Sequence, residues 1–514
     1  MPKQSFLKGT MILVLAGLIT RLLGFVNRIV MARLMGEEGI GLYNMALPTL
    51  FLMYTLSQVG LPIAISKRVA EASARQDRRE IKRILVVSLT ITGSLSIIFV
   101  FLMIFLSPIV AGHLLTDERT LYPLLAITPM IPISAVSAVI RGYFQGLQNM
   151  KPQSYAQIIE QIVRISCITL FVNWLIPFGI AYAAAGAMLS VILGELISLI
   201  FMINYFKSSK KIKIRRAFFS TLKKSRSTVE SLLSIALPTT GSRLINSASN
   251  FLEPILVSQS LAFAGLTTSV ATSQYGILTG YAIPLLFFPT FITHALAIAL
   301  IPNISEAEAK HQHQLVHYRI NQAIRISFTS GAIATVVLVL FSDQILQYMY
   351  HNTQASYLVS FMAPFFLLTY VQFPLSATLQ ALDFAKFAMW NTLIATVVEY
   401  ILLIALATQP SLAIFGVAIA LSVGTVLTSF LHYFSLKKTI KFSLKWMDIG
   451  RMVILVLVTW ILGQQLQSFF PNYQSNPISF LFLLALLLII YLILVFTFKI
   501  ITFDELKPLI RQKR

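Results

Sequence analysis

The amino-acid sequence predicts an all-α polytopic membrane protein with about fourteen transmembrane helices and both termini in the cytoplasm. Of the 514 residues, 57% are hydrophobic and only 11% are charged, so the chain is far more apolar than a soluble protein. Apolar runs of membrane-spanning length recur from end to end, separated by gaps too short for a soluble domain. The predicted spans are approximately 9–35, 40–65, 84–112, 121–147, 154–176, 180–206, 229–258, 270–300, 320–342, 354–382, 388–408, 411–434, 449–469 and 477–500.

The basic residues, which give the chain a formal net charge of +21, cluster in alternate gaps between these spans. They lie at 67–83, 207–226, 437–445 and 507–514, whereas the opposite gaps carry mainly acidic side chains. By the positive-inside rule this distribution places both termini in the cytoplasm. The same basic clusters also attract anionic membrane lipids. Because topology and lipid binding account for the positive charge, we expect no nucleic-acid partner.

The sequence carries no motif of an enzyme or of a bound cofactor. There is no P-loop, nucleophile elbow or zinc motif, and the single cysteine, Cys167, lies in predicted span five. The first apolar run contains arginines and is too long for a cleaved signal peptide, so it is predicted to be a retained helix. We therefore expect a transporter without metal or cofactor, driven by an ion gradient, the membrane potential or the substrate gradient.

The two halves of the chain resemble each other in the same order of short motifs. TRLLG at 20–24 corresponds to SRLIN at 242–246, and QGL at 145–147 corresponds to QAL at 380–382. Because each half contains six spans, the two halves are predicted to be parallel repeats. We expect each repeat to form one lobe, with a binding site between the two lobes and transport by an alternating-access rocking motion. The predicted domains are an N-lobe at 1–206, a basic cytoplasmic linker at 207–228, a C-lobe at 229–434, and two additional helices with a basic tail at 435–514. The alternative is that the two halves resemble each other only because both are rich in apolar residues.

Two arginines in the first span make the strongest functional signal. Arg21 and Arg28 are seven residues apart, so they share one helix face with Gly24. An arginine at the bilayer centre costs about 2.5–3.5 kcal/mol, and it is therefore expected to face protein or water. This pattern predicts a surface that binds an anion, in a cavity that Gly24 and Asn27 help to line.

A polar stripe in span seven is predicted to complete this cavity. Arg243, Asn246, Asn250 and Glu253 recur at spacings of three, four and three residues. Because Arg243 corresponds to Arg21 in the repeat, we expect it to bind the same anion. The alternative is that Arg243 pairs with Glu253 or with a neighbour and only holds helices together.

Other charged residues within the spans are candidates for ion coupling or for helix contacts. Glu160 and Arg164 are four residues apart and are expected to form a structural ion pair. Glu195 and Glu399 each lie in apolar surroundings in the sequence. Either could bind a coupling proton or make a hydrogen-bonded helix contact.

Several motifs resemble the polysaccharide-type flippases of the multidrug/oligosaccharidyl-lipid/polysaccharide (MOP) exporter superfamily. They are TRLLGF at 20–25, ARLMG at 32–36, GLYNMALP at 41–48, LSQVGLPIAISKRVAEA at 56–72 and GYFQGLQNMKP at 142–152. The layout of six, six and two spans is similar to the lipid II flippase branch. Those flippases carry arginines where this chain has Asn27 and Leu52-Met53, so Arg21 matches the family whereas the rest of its charge cluster does not.

The resemblance implies movement of an undecaprenyl-pyrophosphate-linked precursor, such as lipid II, from the inner to the outer leaflet during spore cortex peptidoglycan synthesis. It also implies the bacterial cell membrane, including the forespore outer membrane, as the location, and cell-wall synthases as partners.

Three other functions compete with this one. A cation-coupled multidrug antiporter of the same superfamily would favour acidic residues in the lobes, but span one has none before Glu37. A non-transporting scaffold does not need buried charges in a repeat. A membrane glycosyltransferase or ligase would need a large loop with clustered carboxylates.

Overall fold

The computed structural model describes residues 6–208, 225–444, 446–474 and 476–501, and the regular structure within these ranges is helical. Residues 209–224 of the predicted basic linker and residues 502–514 of the predicted basic tail lie outside the described residues. By its internal contacts the chain divides into two compact units, Met1–Gly280 and Tyr281–Arg514. This boundary differs from the predicted linker at 207–228, and the division into lobes 1–206 and 229–434 stays a prediction.

The first unit is built from nine α-helices in the described ranges. They are α1 (Phe6–Gln58), α2 (Leu61–Ala74), α3 (Arg78–Ile109), α4 (Leu121–Ile127), α5 (Met130–Gly146), α6 (Lys151–Leu175), α7 (Ile180–Ser208), α8 (Arg226–Phe263) and α9 (Thr268–Gly276). Helix α1 bends at Gly36, where φ is 65° and ψ is −172°. Residues that carry a side chain rarely adopt this backbone conformation, whereas glycine adopts it readily. The chain therefore bends at Gly36 between the first two predicted spans without a loop.

The second unit continues with helices α10 to α17. They are α10 (Ile283–Phe287), α11 (Thr290–Ala309), α12 (His313–Tyr350), α13 (Ser356–Ala381), α14 (Ala385–Ala407), α15 (Ile414–Ile440), α16 (Trp446–Phe469) and α17 (Pro477–Thr497). The π-helical segment Ile277–Ala282 contains the boundary between the units. Predicted span eight is therefore not one helix: it is divided into α9, the π-helical segment, α10 and α11.

Twelve helical stretches in the described residues are long and apolar enough to cross a membrane. The first of them, Ala16–Ala74, covers two predicted spans, and α8 contains the shorter apolar stretch Ser227–Leu237. The prediction of a polytopic all-α membrane protein is confirmed. The number of fourteen spans and the cytoplasmic placement of the termini stay predictions.

Glycines allow close helix packing in the core of the first unit. Gly142 and Gly146 of α5 face α2, and a Cβ atom there would lie 2.9 Å from the Pro62 carbonyl oxygen and 2.6 Å from that of Ser66. Next to this contact, Tyr143 is almost fully buried and its ring packs against Phe206. The four-residue glycine spacing thus brings two backbones into contact, as in other membrane helix pairs.

Helices α16 and α17, which lie outside the predicted repeat, pack on α12 in the second unit. The Phe341 ring of α12 contacts Phe480 of α17 at 5.8 Å between centroids. The Tyr491 hydroxyl donates to the Thr329 carbonyl at 2.5 Å, and Leu487 is fully buried. These contacts make the last two helices part of the second unit's packed core.

A polar network joins three segments of the first unit near the bend of α1. Arg119 donates to Glu38 at 2.7 Å and to both carboxylate oxygens of Asp117 at 3.0 and 2.9 Å. From α9, Thr272 donates to Asp117 at 2.7 Å, and Ser269 donates to Glu38. Side chains predicted to lie in outer loops therefore hold α9 against α1.

Replacing Thr272 by valine is expected to destabilise this contact. The substitution keeps the shape of the side chain and removes its hydrogen bond to the buried Asp117 carboxylate, an interaction worth about 1.5–3 kcal/mol. We expect a lower melting temperature of the purified protein in detergent. The matched variant Thr90→Val removes only a bond to a carbonyl of its own helix, so a melting temperature as low as that of Thr272→Val would contradict the assignment.

Candidate functional site

Arg21 and Arg28 lie on an exposed face of α1. Neither side chain makes a hydrogen bond or an ion pair with any residue that the structure describes. The exposed apolar residues Ile19, Leu22 and Val26 project about 100–160° away from Arg21 around the helix. Lipid is expected to contact the face of α1 that carries these apolar residues, so the two arginines face away from the lipid.

Gly24 and Asn27 point toward the interior of the unit. A Cβ atom on Gly24 would lie 3.9 Å from the Gln161 side-chain oxygen of α6. Asn27 is only 5% exposed, and its amide nitrogen lies 3.4 Å from the sulfur of Met31. Since Asn27 lies about 120° around the helix from Arg21, helix geometry separates it from the arginine face. Its predicted role in lining a cavity with the arginines stays a prediction.

A cavity of about 340 Å³ lies between the second half of α1 and α8. Its wall consists of Phe51, Tyr54, Thr55, Gln58, Gly60, Arg243, Asn246, Ser247 and Asn250. The hydroxyls of Thr55 and Ser247 are hydrogen-bonded across the two helices at 2.9 Å. The cavity thus combines one guanidinium with amides, hydroxyls and two aromatic rings.

Arg243 supplies the charge of this cavity. It is exposed, as are Asn246 and Asn250, and it has no hydrogen-bond or ion-pair partner among the described residues. Glu253 is half-buried and does not line the cavity, so the predicted stripe ends at Asn250. An ion pair between Arg243 and Glu253 is not formed, because ten residues along a helix separate them by about 15 Å.

The lining residues that the structure describes include no carboxylate, and this determines which ligands suit the cavity. A guanidinium in a partly dry site binds phosphate or carboxylate oxygens through two parallel hydrogen bonds. The amides of Asn246 and Asn250 offer further donors. The wall is therefore suited to an anion with several oxygen atoms. Arg21 and Arg28 do not line this cavity, and they form a separate cationic surface on α1.

Four charged side chains form a cluster among α5, α6 and α7. Arg164 donates to Glu160 at 2.6 Å, which is the pairing that their spacing predicts. Glu195 is not isolated, because Arg141 donates to it at 2.5 Å. Arg141 was not among the predicted site residues, although an arginine within a predicted apolar span was a usable signal.

Glu399 makes a helix contact in the second unit. Its side chain lies directly against Gly424 of α15, where the glycine leaves room for the carboxyl group. A role in ion coupling stays a prediction.

The sequence matches the polysaccharide biosynthesis protein family over residues 6–308 and the MatE family over residues 254–406. It is 49% identical to stage V sporulation protein B of Bacillus subtilis (strain 168), over 99% of this chain and 98% of that protein. It is 22% identical to lipid II flippase MurJ of the same organism, over 93% of this chain and 91% of that protein.

A solved structure of lipid II flippase MurJ in an inward closed conformation has the same fold. Its TM-score is 0.73 at 15% sequence identity, and the alignment covers 98% of this chain and 100% of that one. The chain therefore belongs to the polysaccharide biosynthesis protein family of the MOP superfamily, and it is a multi-pass membrane transporter rather than an enzyme.

Proposed function

We propose that this transporter flips an undecaprenyl-pyrophosphate-linked cell-wall precursor of the lipid II type from the inner to the outer leaflet, for spore cortex peptidoglycan synthesis. The observation that carries the proposal is the cavity between α1 and α8, whose described lining residues include Arg243 and no carboxylate. The similarity to stage V sporulation protein B and to a lipid II flippase supports the same substrate class.

The chemistry of the cavity fits the pyrophosphate and its first sugar. Arg243 binds the phosphate oxygens, and Asn246 and Asn250 donate to further oxygens of the headgroup. Phe51 and Tyr54 provide flat apolar surfaces against which a sugar ring can pack. The volume of about 340 Å³ is at the lower end for small-molecule sites, so the remainder of the glycan and peptide extends beyond it.

Arg21 and Arg28 provide a second cationic surface for the same headgroup. Both are exposed and have no charge partner in the described part of the chain, so no local carboxylate competes with a phosphate. Alternating access moves the headgroup across the membrane while arginines balance its charge. The cell-wall synthases that use the flipped precursor are the expected protein partners.

Reconstitution into liposomes with three substrates tests the proposal. The substrates are lipid II, a lipid-linked sugar on the same pyrophosphate that does not belong to peptidoglycan, and a cationic drug. We expect translocation of lipid II and none of the drug, and the second lipid reports how strictly the glycan is selected. Drug transport without translocation of either lipid would contradict the proposal and favour a multidrug antiporter.

A further inference from the structure

Gln58 is the most buried polar side chain among the described residues that line the cavity between α1 and α8. It is only 7% exposed, whereas the other two amides of the wall, Asn246 and Asn250, are exposed. An exposed amide can turn and present either its oxygen or its nitrogen, so it adapts to different ligands. A buried amide is held by its neighbours and presents one atom. Gln58 is therefore the amide of this wall that is suited to a selective contact.

A contact with α5 determines which way the Gln58 amide points. Its side-chain nitrogen lies 3.5 Å from the main-chain carbonyl oxygen of Ser134. A hydrogen bond of this length is weak, but a carbonyl oxygen only accepts hydrogen bonds, so the reversed amide would place two oxygen atoms against each other. The nitrogen therefore faces α5, and the side-chain oxygen lies on the opposite side of the amide group.

The side-chain oxygen of Gln58 has no hydrogen-bond donor among the residues that the structure describes. Because Gln58 lines the cavity and its nitrogen is turned toward α5, this oxygen is the acceptor that it offers to a ligand. A headgroup that enters the cavity displaces water from it. An acceptor that is then left without a donor is unfavourable, so the site favours a ligand that supplies one.

The hydroxyl groups of the wall also act as acceptors. Thr55 donates its single hydroxyl hydrogen to the Phe51 carbonyl at 2.7 Å, so Ser247 is the donor in the 2.9 Å bond between the Thr55 and Ser247 hydroxyls. Both hydrogens are thus used within the protein. Arg243 supplies donors for the pyrophosphate, which itself only accepts when ionised. The acceptor of Gln58 therefore has no use for the pyrophosphate and suits a donor on the attached sugar.

A strained turn follows Gln58 and holds it at the cavity. Val59 has φ 43° and Gly60 has φ 61°, so two consecutive residues between α1 and α2 are left-handed. A β-branched residue rarely adopts a positive φ, and such strain persists where the surrounding structure fixes it, often at binding sites. The Val59 amide still donates to the Thr55 carbonyl at 3.3 Å. Gln58 is therefore fixed at the end of a helix.

We propose that Gln58 accepts a hydrogen bond from the acetamido N–H of the sugar that is attached to the pyrophosphate, and that it thereby selects the headgroup by its first sugar. Arg243 binds the phosphate in the same cavity, and the sugar is joined to the phosphate through C1. The substituent at C2 is therefore the donor closest to the phosphate. In lipid II this substituent is an acetamido group. The inference rests on the proposed function, since it names the group by which that site selects its substrate.

Equilibrium binding of the purified protein to two synthetic lipids tests this role. One is undecaprenyl pyrophosphate that carries a single 2-acetamido sugar, and the other is its 2-deoxy counterpart, which has no donor at C2. We expect the wild type to bind the acetamido lipid about tenfold more tightly. Gln58→Met has a side chain of similar length without an amide, and we expect it to bind both lipids with the affinity that the wild type has for the 2-deoxy lipid.

The matched control is Gln145→Met. Gln145 of α5 donates to the Gln153 side chain at 3.0 Å and does not line the cavity, so this variant is expected to keep the tenfold preference. A Gln58→Met variant that retained the preference, or that bound both lipids more weakly by the same factor, would overturn the proposal.

If Gln58→Met fails to fold, Gln58→Asn tests the same contact, because it keeps the amide and withdraws its oxygen by one methylene group. We expect most of the preference to be lost, and a full preference would overturn the proposal. A wild type that bound both lipids equally, but more tightly than undecaprenol, would refute the role of Gln58 and leave the proposed function standing. Binding of neither lipid above the level of undecaprenol would contradict the proposed function and, with it, this selectivity.

Discussion

Replacing Arg243 by alanine is expected to slow the translocation of lipid II about 10- to 100-fold. Among the described residues that line the cavity, Arg243 is the only one with a cationic group. A hydrogen bond to a charged group contributes about 1.5–3 kcal/mol, and each 1.4 kcal/mol corresponds to about a tenfold change in rate or affinity. Because Arg243 has no partner among the described side chains, its removal leaves no buried charge uncompensated, and the fold is expected to persist.

The measurement is the rate at which lipid II becomes accessible in the outer leaflet of proteoliposomes. Arg243→Lys keeps the positive charge but cannot donate two parallel hydrogen bonds to a phosphate, so we expect a smaller decrease in the translocation rate. Arg451→Ala removes a half-buried arginine of α16, which lies 3.9 Å from the Asp448 carboxylate, and serves as the control for a general loss of positive charge. Arg21→Ala is expected to act in the same direction as Arg243→Ala. Wild-type rates in both variants would contradict the anion-site account.

Replacing Gly276 by alanine is expected to prevent α9 from packing on α1. A Cβ atom at this position would overlap the Glu37 carbonyl oxygen, and it would lie only 2.8 Å from the Glu37 carbonyl carbon and from the Gly41 nitrogen. All three are backbone atoms, so no side-chain rotation relieves the overlap. Overpacking of this kind costs about 1–3 kcal/mol or more, and here we expect the upper end or a loss of folded protein.

Thermal unfolding in detergent, together with the yield of monodisperse protein, measures this effect. Gly93→Ala in α3 is the matched control, because no atom lies within 4 Å of the Cβ that it would introduce. Alanine favours a helix by up to about 1 kcal/mol over glycine, so the control is expected to be neutral or slightly stabilising. Equal melting temperatures for the two variants would contradict the close contact between α9 and α1 at Gly276.

Local patterns in the sequence predicted most of the helical structure. Apolar length located the spans. A bend at Gly36 within one continuous helix was not predicted, because the segment GEEG at 36–39 indicates a gap between two spans and does not reveal a positive φ. The division of span eight was also missed, because a π-helical segment has the same apolar character as the helices around it.

Helical periodicity predicted part of the candidate site. Arg243, Asn246 and Asn250 lie together as their spacing indicates, whereas Glu253 is too far along the helix to reach the cavity. The pairing of Arg141 with Glu195 joins residues 54 positions apart, and only the packing of α5 on α7 creates it. Thr55 and Ser247 are also joined by tertiary structure alone, because an isolated hydroxyl in a span carries no distinctive pattern.

The most direct test of the account is equilibrium binding of the purified protein to lipid II and to undecaprenol, which has the same lipid chain without pyrophosphate or sugar. We predict that the wild-type protein binds lipid II more tightly, and that the variant with both Arg21→Ala and Arg243→Ala loses this preference. Equal binding of the two lipids by the wild type, or an unchanged preference in the double variant, would contradict the claim that these arginines bind the anionic headgroup.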